Sequence, residues 1–164
     1  MKCLLSWFLL IVSIAVLVSS CAKSDDSKTA TTDNSSSSSV NCNNGCFVAV
    51  GNSGNIVRST DNGSSWDNVT SPTGNWLEGV TFGNNTFVGV GNNGNIVRST
   101  DNGSSWDNAT SPTSNKLYGL TFGNNTFVGV GYEGNIVRST DNGINWDNAT
   151  SPTWRRLLGV TYLE

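Results

Sequence analysis

STDNGSSW at residues 59–66, STDNGSSW again at 99–106 and STDNGINW at 139–146 are the stretches that decide how this chain folds. They recur every 40 residues, and residues 45–164 form three periods of one unit. A fixed period of that length marks a repeat architecture, in which each unit buries its apolar face against a neighbour. Within the signature each residue type has a physical job. The Asp can accept hydrogen bonds from backbone N–H groups of a turn, the Gly can take a positive φ, and the Trp can bury a large ring beneath the turn.

Around the signature, the middle of the chain offers residues 116–122, 126–130, 135–139 and 145–149 as short segments rich in β-branched and aromatic residues, separated by Gly and Asn clusters. Four strands in 40 residues make a blade, and the expected fold is all-β: a β-propeller-like array of three four-stranded blades. Gly119 and Gly129 suit places where backbones approach closely. The ends are out of phase with the blades. Residues 46–50 read as the second strand of a blade and residues 157–162 as a first strand, so the last strand is expected to complete the first blade and protect its edge. Three blades are fewer than the usual four to eight. Two chains would supply six, giving a homodimeric ring with twofold symmetry as an expected assembly.

The signature matches S-x-D-x-G-x-x-W, and on it the chain resembles the Asp-box (BNR) β-propellers, which include sialidases and a photosystem II assembly factor. The matching residues are Ser59, Asp61, Gly63 and Trp66, then Ser99, Asp101, Gly103 and Trp106, then Ser139, Asp141, Gly143 and Trp146. The resemblance implies that these are fold-stabilising residues lying away from any ligand site. A sialidase would also need three arginines on the substrate carboxylate, a tyrosine nucleophile beside a glutamate, and an aspartic acid near the sugar. Glu78 and Tyr118 are single candidates without an acid partner, and the aspartates beyond residue 40 all sit in repeated positions. No enzyme activity is therefore expected.

Upstream of the repeats, Met1 and Lys2 precede an apolar run from residue 4 to 18, followed by Ser19, Ser20 and Cys21. Residues 1–20 read as an export signal, too short for the roughly 20 apolar residues of a membrane span. The stretch before Cys21 resembles a bacterial lipobox, which implies a lipidated Cys21 holding the chain on a membrane of the cell envelope. Residues 21–40, polar and serine-rich, read as a disordered tether, leaving residues 41–164 as the repeat domain. Cys42 and Cys46 flank a turn-forming triplet and form an even pair in an oxidising compartment, so they could face each other at disulfide distance, with metal binding by the two thiols the weaker reading. The chain has no histidine and a net charge of −3, which offers no metal site, no cofactor site and no nucleic-acid footprint.

Comparing the copies separates what every blade needs from what one blade has changed. Residues 51–90 and 91–130 differ at six positions, a sign of recent duplication. Differences across the three copies gather at 74–78, 114–118 and 154–158, with a second cluster at 52–53, 92–93 and 132–133. Both clusters fall in connections on the same face of a propeller, because strands alternate direction, and loops on one face are the usual binding surface. That face would present Trp76, Lys116, Tyr118, Tyr132, Trp154, Arg155 and Arg156. Aromatic platforms stack on sugars or peptide side chains, and Arg pairs with carboxylates. Arg58, Arg98 and Arg138 recur in every copy and read as structural. The sequence thus describes an exported lipoprotein that binds a protein or glycan. The alternatives are a sialidase-like hydrolase completed by oligomerisation and a remnant of a larger propeller gene.

Overall fold

The computed structural model describes Cys42 and residues 45–164. The export signal, Cys21 and the tether lie outside the described residues. The strands are β1 (Phe47–Val50), β2 (Ile56–Ser59), β3 (Asp67–Val69), β4 (Leu77–Gly83), β5 (Thr86–Gly91), β6 (Ile96–Ser99), β7 (Asp107–Ala109), β8 (Leu117–Gly123), β9 (Thr126–Gly131), β10 (Ile136–Ser139) and β11 (Asp147–Ala149). They build three sheets with neighbour orders β1-β2-β3, β4-β5-β6-β7 and β8-β9-β10-β11. All pairings are antiparallel, and the register repeats from blade to blade. Val48 opposes Arg58, Val88 opposes Arg98, and Val128 opposes Arg138. The chain is an all-β, propeller-like array of three blades.

The alternation in Phe87-Val88-Gly89-Val90 explains the core. Successive side chains of a strand point to opposite faces, and here each face meets another blade. All six residues of β5 are buried. One apolar cluster unites Ile56 of the first blade with Leu77, Phe87, Val97 and Trp106 of the second. Another unites Val88, Val90 and Ile96 of the second blade with Leu117, Phe127, Val137 and Trp146 of the third. Every buried Trp is therefore lodged against the blade before its own. The inner strands also approach closely: a Cβ on Gly119 would come within 2.9 Å of the backbone of Gly159. At Gly129 the near atoms are instead side-chain methyls of Val137 and Leu120.

One expectation is corrected. Residues 157–162 form no strand, and among the described residues the first sheet keeps only three. The blades stack in chain order, so the last segment falls next in series after β8, at the opposite end of the array from β1. There Leu157 N–H donates to the Gly131 carbonyl at 3.0 Å, repeating the Leu77 to Gly51 bond of the first two blades. At the other end Cys42 and Cys46 are joined as a disulfide, their Cα atoms 5.3 Å apart.

Each signature turn is held by the same bonds. Gly63 N–H donates to Ser59 Oγ at 2.8 Å, Ser65 N–H to Asp61 Oδ1 at 2.9 Å, and Trp66 Nε1–H to the Gly63 carbonyl at 3.1 Å. In the third copy Asn145 replaces the serine and donates from both its backbone and its side-chain amide to Asp141. Hydrogen bonds from Ser65 and Ser59 hold the Asp61 carboxyl down at about 2, and those from Asn145 and Ser139 do the same for Asp141. Partial burial pushes Asp101 up, but its bonds from Ser105 and Ser99 outweigh this and leave it lowered. The three side chains stay ionised at neutral pH and are unsuited to donating a proton.

Candidate functional site

In an antiparallel blade, successive connections alternate between the two ends of the sheet. The signature turns, from β2 to β3 and its equivalents, occupy one end. The other end carries the short 3-10 turns Asn52–Gly54, Asn92–Gly94 and Tyr132–Gly134, and the connections that lead from each blade to the next.

Those interblade connections are shaped by a recurring Ser-Pro-Thr. In the last of them Thr153 N–H points at Ser151 Oγ (3.4 Å), and Arg155 N–H donates to Thr153 Oγ1 (3.1 Å), a pair of side-chain turns that fixes where residues 154–156 emerge. The 3-10 turns then clip on. Asn92 N–H donates to the Trp76 carbonyl at 2.9 Å and Tyr132 N–H to the Lys116 carbonyl at 2.8 Å. Asn93 Nδ2 also donates to Asn75 Oδ1 at 3.2 Å. The two variable clusters of the sequence thus lie side by side on one face, and that face is opposite the signature turns.

Of the seven candidate residues, four converge. Tyr132, Trp154, Arg155 and Arg156, together with Glu133, line a cleft of about 350 Å³. The Arg155 guanidinium carbon stands 5.1 Å from the centre of the Trp154 ring, a stacked arrangement that leaves its N–H edges free to bind. Trp154 is 75% exposed, a large uncovered apolar plate. A wider hollow of about 460 Å³ adjoins the cleft and shares Glu133 and Trp154, but small and backbone groups make up most of its wall.

Lys116 and Tyr118 form a second group. Lys116 Nζ pairs with Glu78 Oε1 at 2.7 Å and sits 5.1 Å from the Tyr118 ring centre. The charge of Lys116 is thereby matched within the blade array, whereas among the described residues Arg155 and Arg156 form no salt bridge, with the Glu133 carboxylate lining the same cleft. Trp76 stands apart from both groups, half exposed. Glu78 and Tyr118 each sit where the strand register skips a residue, between Leu77 and Gly79 and between Leu117 and Gly119. Such bulges re-aim side chains, which accounts for their standing out of the regular pleat. Sequence comparison placed Glu133 in the second variable cluster without counting it among the candidate binding residues, and it did not single out the Ser-Pro-Thr scaffold. The scaffold had a signal, since it recurs unchanged immediately before each variable triplet.

Chemically, the cleft offers an aromatic plate, a phenol, two guanidinium groups and the Glu133 carboxylate. That set can stack on a planar or apolar group and pair with carboxylates. The other acidic candidates do not converge on it: Glu78 is taken by Lys116, and the signature carboxylates lie at the far end of the blades.

Two solved structures share this architecture. YCF48 bound to D1 peptide superposes with a TM-score of 0.59 at 21% identity, covering 69% of this chain and 38% of that one. YCF48 from Cyanidioschyzon merolae gives 0.54 at 25% identity, covering 65% and 33%. The chain thus spans about a third of the length of these propellers. No curated protein sequence matches it. The family described as the DUF6242 beta propeller domain matches residues 22–158. The chain belongs to that DUF6242 beta propeller domain family.

Proposed function

We propose that this chain is a non-enzymatic binding module of the Asp-box type, which takes a carboxylate-bearing protein segment on the face built by Tyr132, Trp154, Arg155 and Arg156. The observation that carries this reading is the convergence of those four side chains on one cleft, which holds two guanidinium groups against the one carboxylate of Glu133. A peptide lying across the plate would stack an apolar or aromatic side chain on Trp154 and place Asp or Glu carboxylates against the guanidinium edges. That a propeller of the same fold has been solved with a peptide bound favours a protein over a glycan as the ligand class.

The test is titration of the chain with a panel of Asp- and Glu-rich peptides, followed by the double variant Arg155→Glu, Arg156→Glu. A charge-assisted hydrogen bond contributes about 1.5–3 kcal/mol, so removing two and adding repulsion should weaken the best peptide at least about 100-fold. Equal affinity in the double variant would overturn the assignment. Retention of sialylated glycans in place of peptides would move the ligand class to sugars, and turnover of a fluorogenic sialoside would overturn the non-enzymatic reading.

The same proposal places the module outside the cytoplasm, tethered by residues 21–40 to a membrane through lipid on Cys21. It rests on the Val-Ser-Ser-Cys stretch that ends the apolar run. Replacing Cys21 with Ser should move the protein from the membrane fraction to the soluble one. A chain that stays membrane-bound without that cysteine contradicts it.

A further inference from the structure

Two substitutions set the first blade apart chemically. By the 40-residue offset, Cys42 stands where the later copies have Phe82 and Phe122, and Cys46 where they have Thr86 and Thr126. In the second blade the Thr86 hydroxyl accepts a hydrogen bond from Asn142 Nδ2 of the third at 2.6 Å, a tie between blades. In the first blade that position carries a disulfide sulfur, and a cation faces it. Arg58 Nη2 lies 3.7 Å from Cys42 Sγ and 3.7 Å from Cys46 Sγ. The Arg58 side chain is buried, and its Nε–H is held by the Asn102 carbonyl at 2.6 Å. Arg98 makes the equivalent bond to the Asn142 carbonyl at 3.3 Å, in a blade without cysteines. The bond between blades is thus common to both arginines, and the contact with two sulfurs belongs to Arg58.

The bridge itself is a weak staple. Stabilisation through chain entropy grows with the length of the closed loop, and this bridge joins residues only four apart. Both cysteines are partly exposed. They line a cleft of about 210 Å³ together with Phe82, Phe87 and Asn102. Asn102 belongs to a signature turn, so this cleft lies at the end of the blades opposite the Trp154–Arg156 face.

We infer that Cys42–Cys46 is an exchange-active disulfide, whose co-reactant is the dithiol of a peptide segment with an apolar side chain that enters the Phe82–Phe87 cleft. This goes beyond the ligand reading and does not depend on it. A thiolate of the segment attacks one of the two sulfurs and forms a bond to it. The Cys42–Cys46 bond breaks, and its electron pair leaves on the other sulfur as a thiolate. Arg58 stands equally close to both, so its charge stabilises whichever sulfur leaves. The segment's second thiolate then attacks the segment's own sulfur in the mixed disulfide and releases the remaining cysteine. The segment is oxidised by two electrons to a disulfide and the Cys42–Cys46 pair is reduced to two thiols. The two protons lost by the segment are taken up by those cysteines. Each bridge reacts once, so the exchange is stoichiometric.

The experiment follows reduction of the full chain by dithiothreitol and by a synthetic peptide that carries two cysteines beside a Phe. Free thiols are trapped by alkylation and read from the mass of the proteolytic peptide containing Cys42 and Cys46. At neutral pH the folded chain should react at least about tenfold faster than the same chain unfolded in urea, where Arg58 no longer faces the sulfurs. Arg58→Gln should slow both reductants about tenfold. Arg98→Gln breaks the equivalent bond between blades and should keep the wild-type rate, which separates charge at the sulfurs from loosening of the array. Phe82→Ser should slow the peptide about threefold and leave dithiothreitol unchanged. A folded chain reduced no faster than the unfolded one overturns the proposal, as does an Arg58→Gln chain that reacts as fast as the wild type or faster. A peptide rate unchanged by Phe82→Ser overturns the cleft as the place where the segment docks.

Discussion

Trp146→Ala destabilises the fold by about 3–5 kcal/mol, the range for removing a large aromatic side chain from a well-packed interior. The ring is 6% exposed, packs with Val88, Val90 and Ile96 of the preceding blade, and lies 6.4 Å from the ring of Phe127 in its own. Little can collapse into the space it would leave, because its neighbours belong to two separate sheets that each hold their own register. Its Nε1–H bond to the Gly143 carbonyl, 3.0 Å long, would also be lost, loosening the turn that carries Asp141. The control is Trp66→Ala. It should cost under about 1 kcal/mol, because a side chain that is already half exposed forfeits little burial. Urea unfolding of the two variants checks the pair. Equal losses would mean that the Trp acts within its own turn and that blade-to-blade contact is not what stabilises the array.

Gly134→Ala damages both fold and face. Gly134 has φ of +68° and ends the 3-10 turn that begins at Tyr132, and its α-carbon lies so close to the Thr153 carbonyl that a Cβ would overlap it. The obstacle is backbone, and Thr153 is itself held by Ser151, so neither side can give way cheaply. Left-handed strain with forced displacement of the connection should cost at least about 3 kcal/mol. The displaced segment is the one that carries Trp154 and Arg155, so peptide affinity should fall as well. A chain in which Gly134→Ala binds as the wild type, at full stability, would show that the turn does not position the cleft. The neighbouring Glu133 also has positive φ, at 55°, but its side chain is exposed.

The fold was legible because one signature carries several constraints at once. Ser59, Asp61, Gly63 and Trp66 specify a turn, the turn specifies the strands on either side, and the 40-residue period specifies the stacking. The strands at 126–130 and 135–139 fall within a residue of β9 and β10. The fourth strand is shorter than its pattern suggested, since Asn145 and Trp146 are spent on the turn and β11 starts at Asp147.

What could not be read depends on neighbours in space. Trp66 and Trp106 sit in identical octapeptides and differ in exposure because, among the described residues, only Trp106 has a blade in front of it. Residues 157–162 carry a first-strand pattern, but whether a strand forms depends on a partner edge, which the array places at its far end. On the face, the residue types and their shared side were visible in the differences between copies. The division of labour was not: Lys116 forms a salt bridge with Glu78, which stands at a strand bulge, whereas Arg155 and Arg156 share their cleft with Glu133 without a salt bridge.

The central claim is that ligand binds at the end of the blades opposite the signature turns. Backbone amide chemical shifts, followed by NMR as the tightest acidic peptide is added, test it most directly. The account predicts that perturbations concentrate at Tyr132, Glu133, Trp154, Arg155 and Arg156, with the amides of Gly63, Gly103 and Gly143 unmoved. Shifts centred on the signature turns, with the Trp154–Arg156 segment silent, would contradict it.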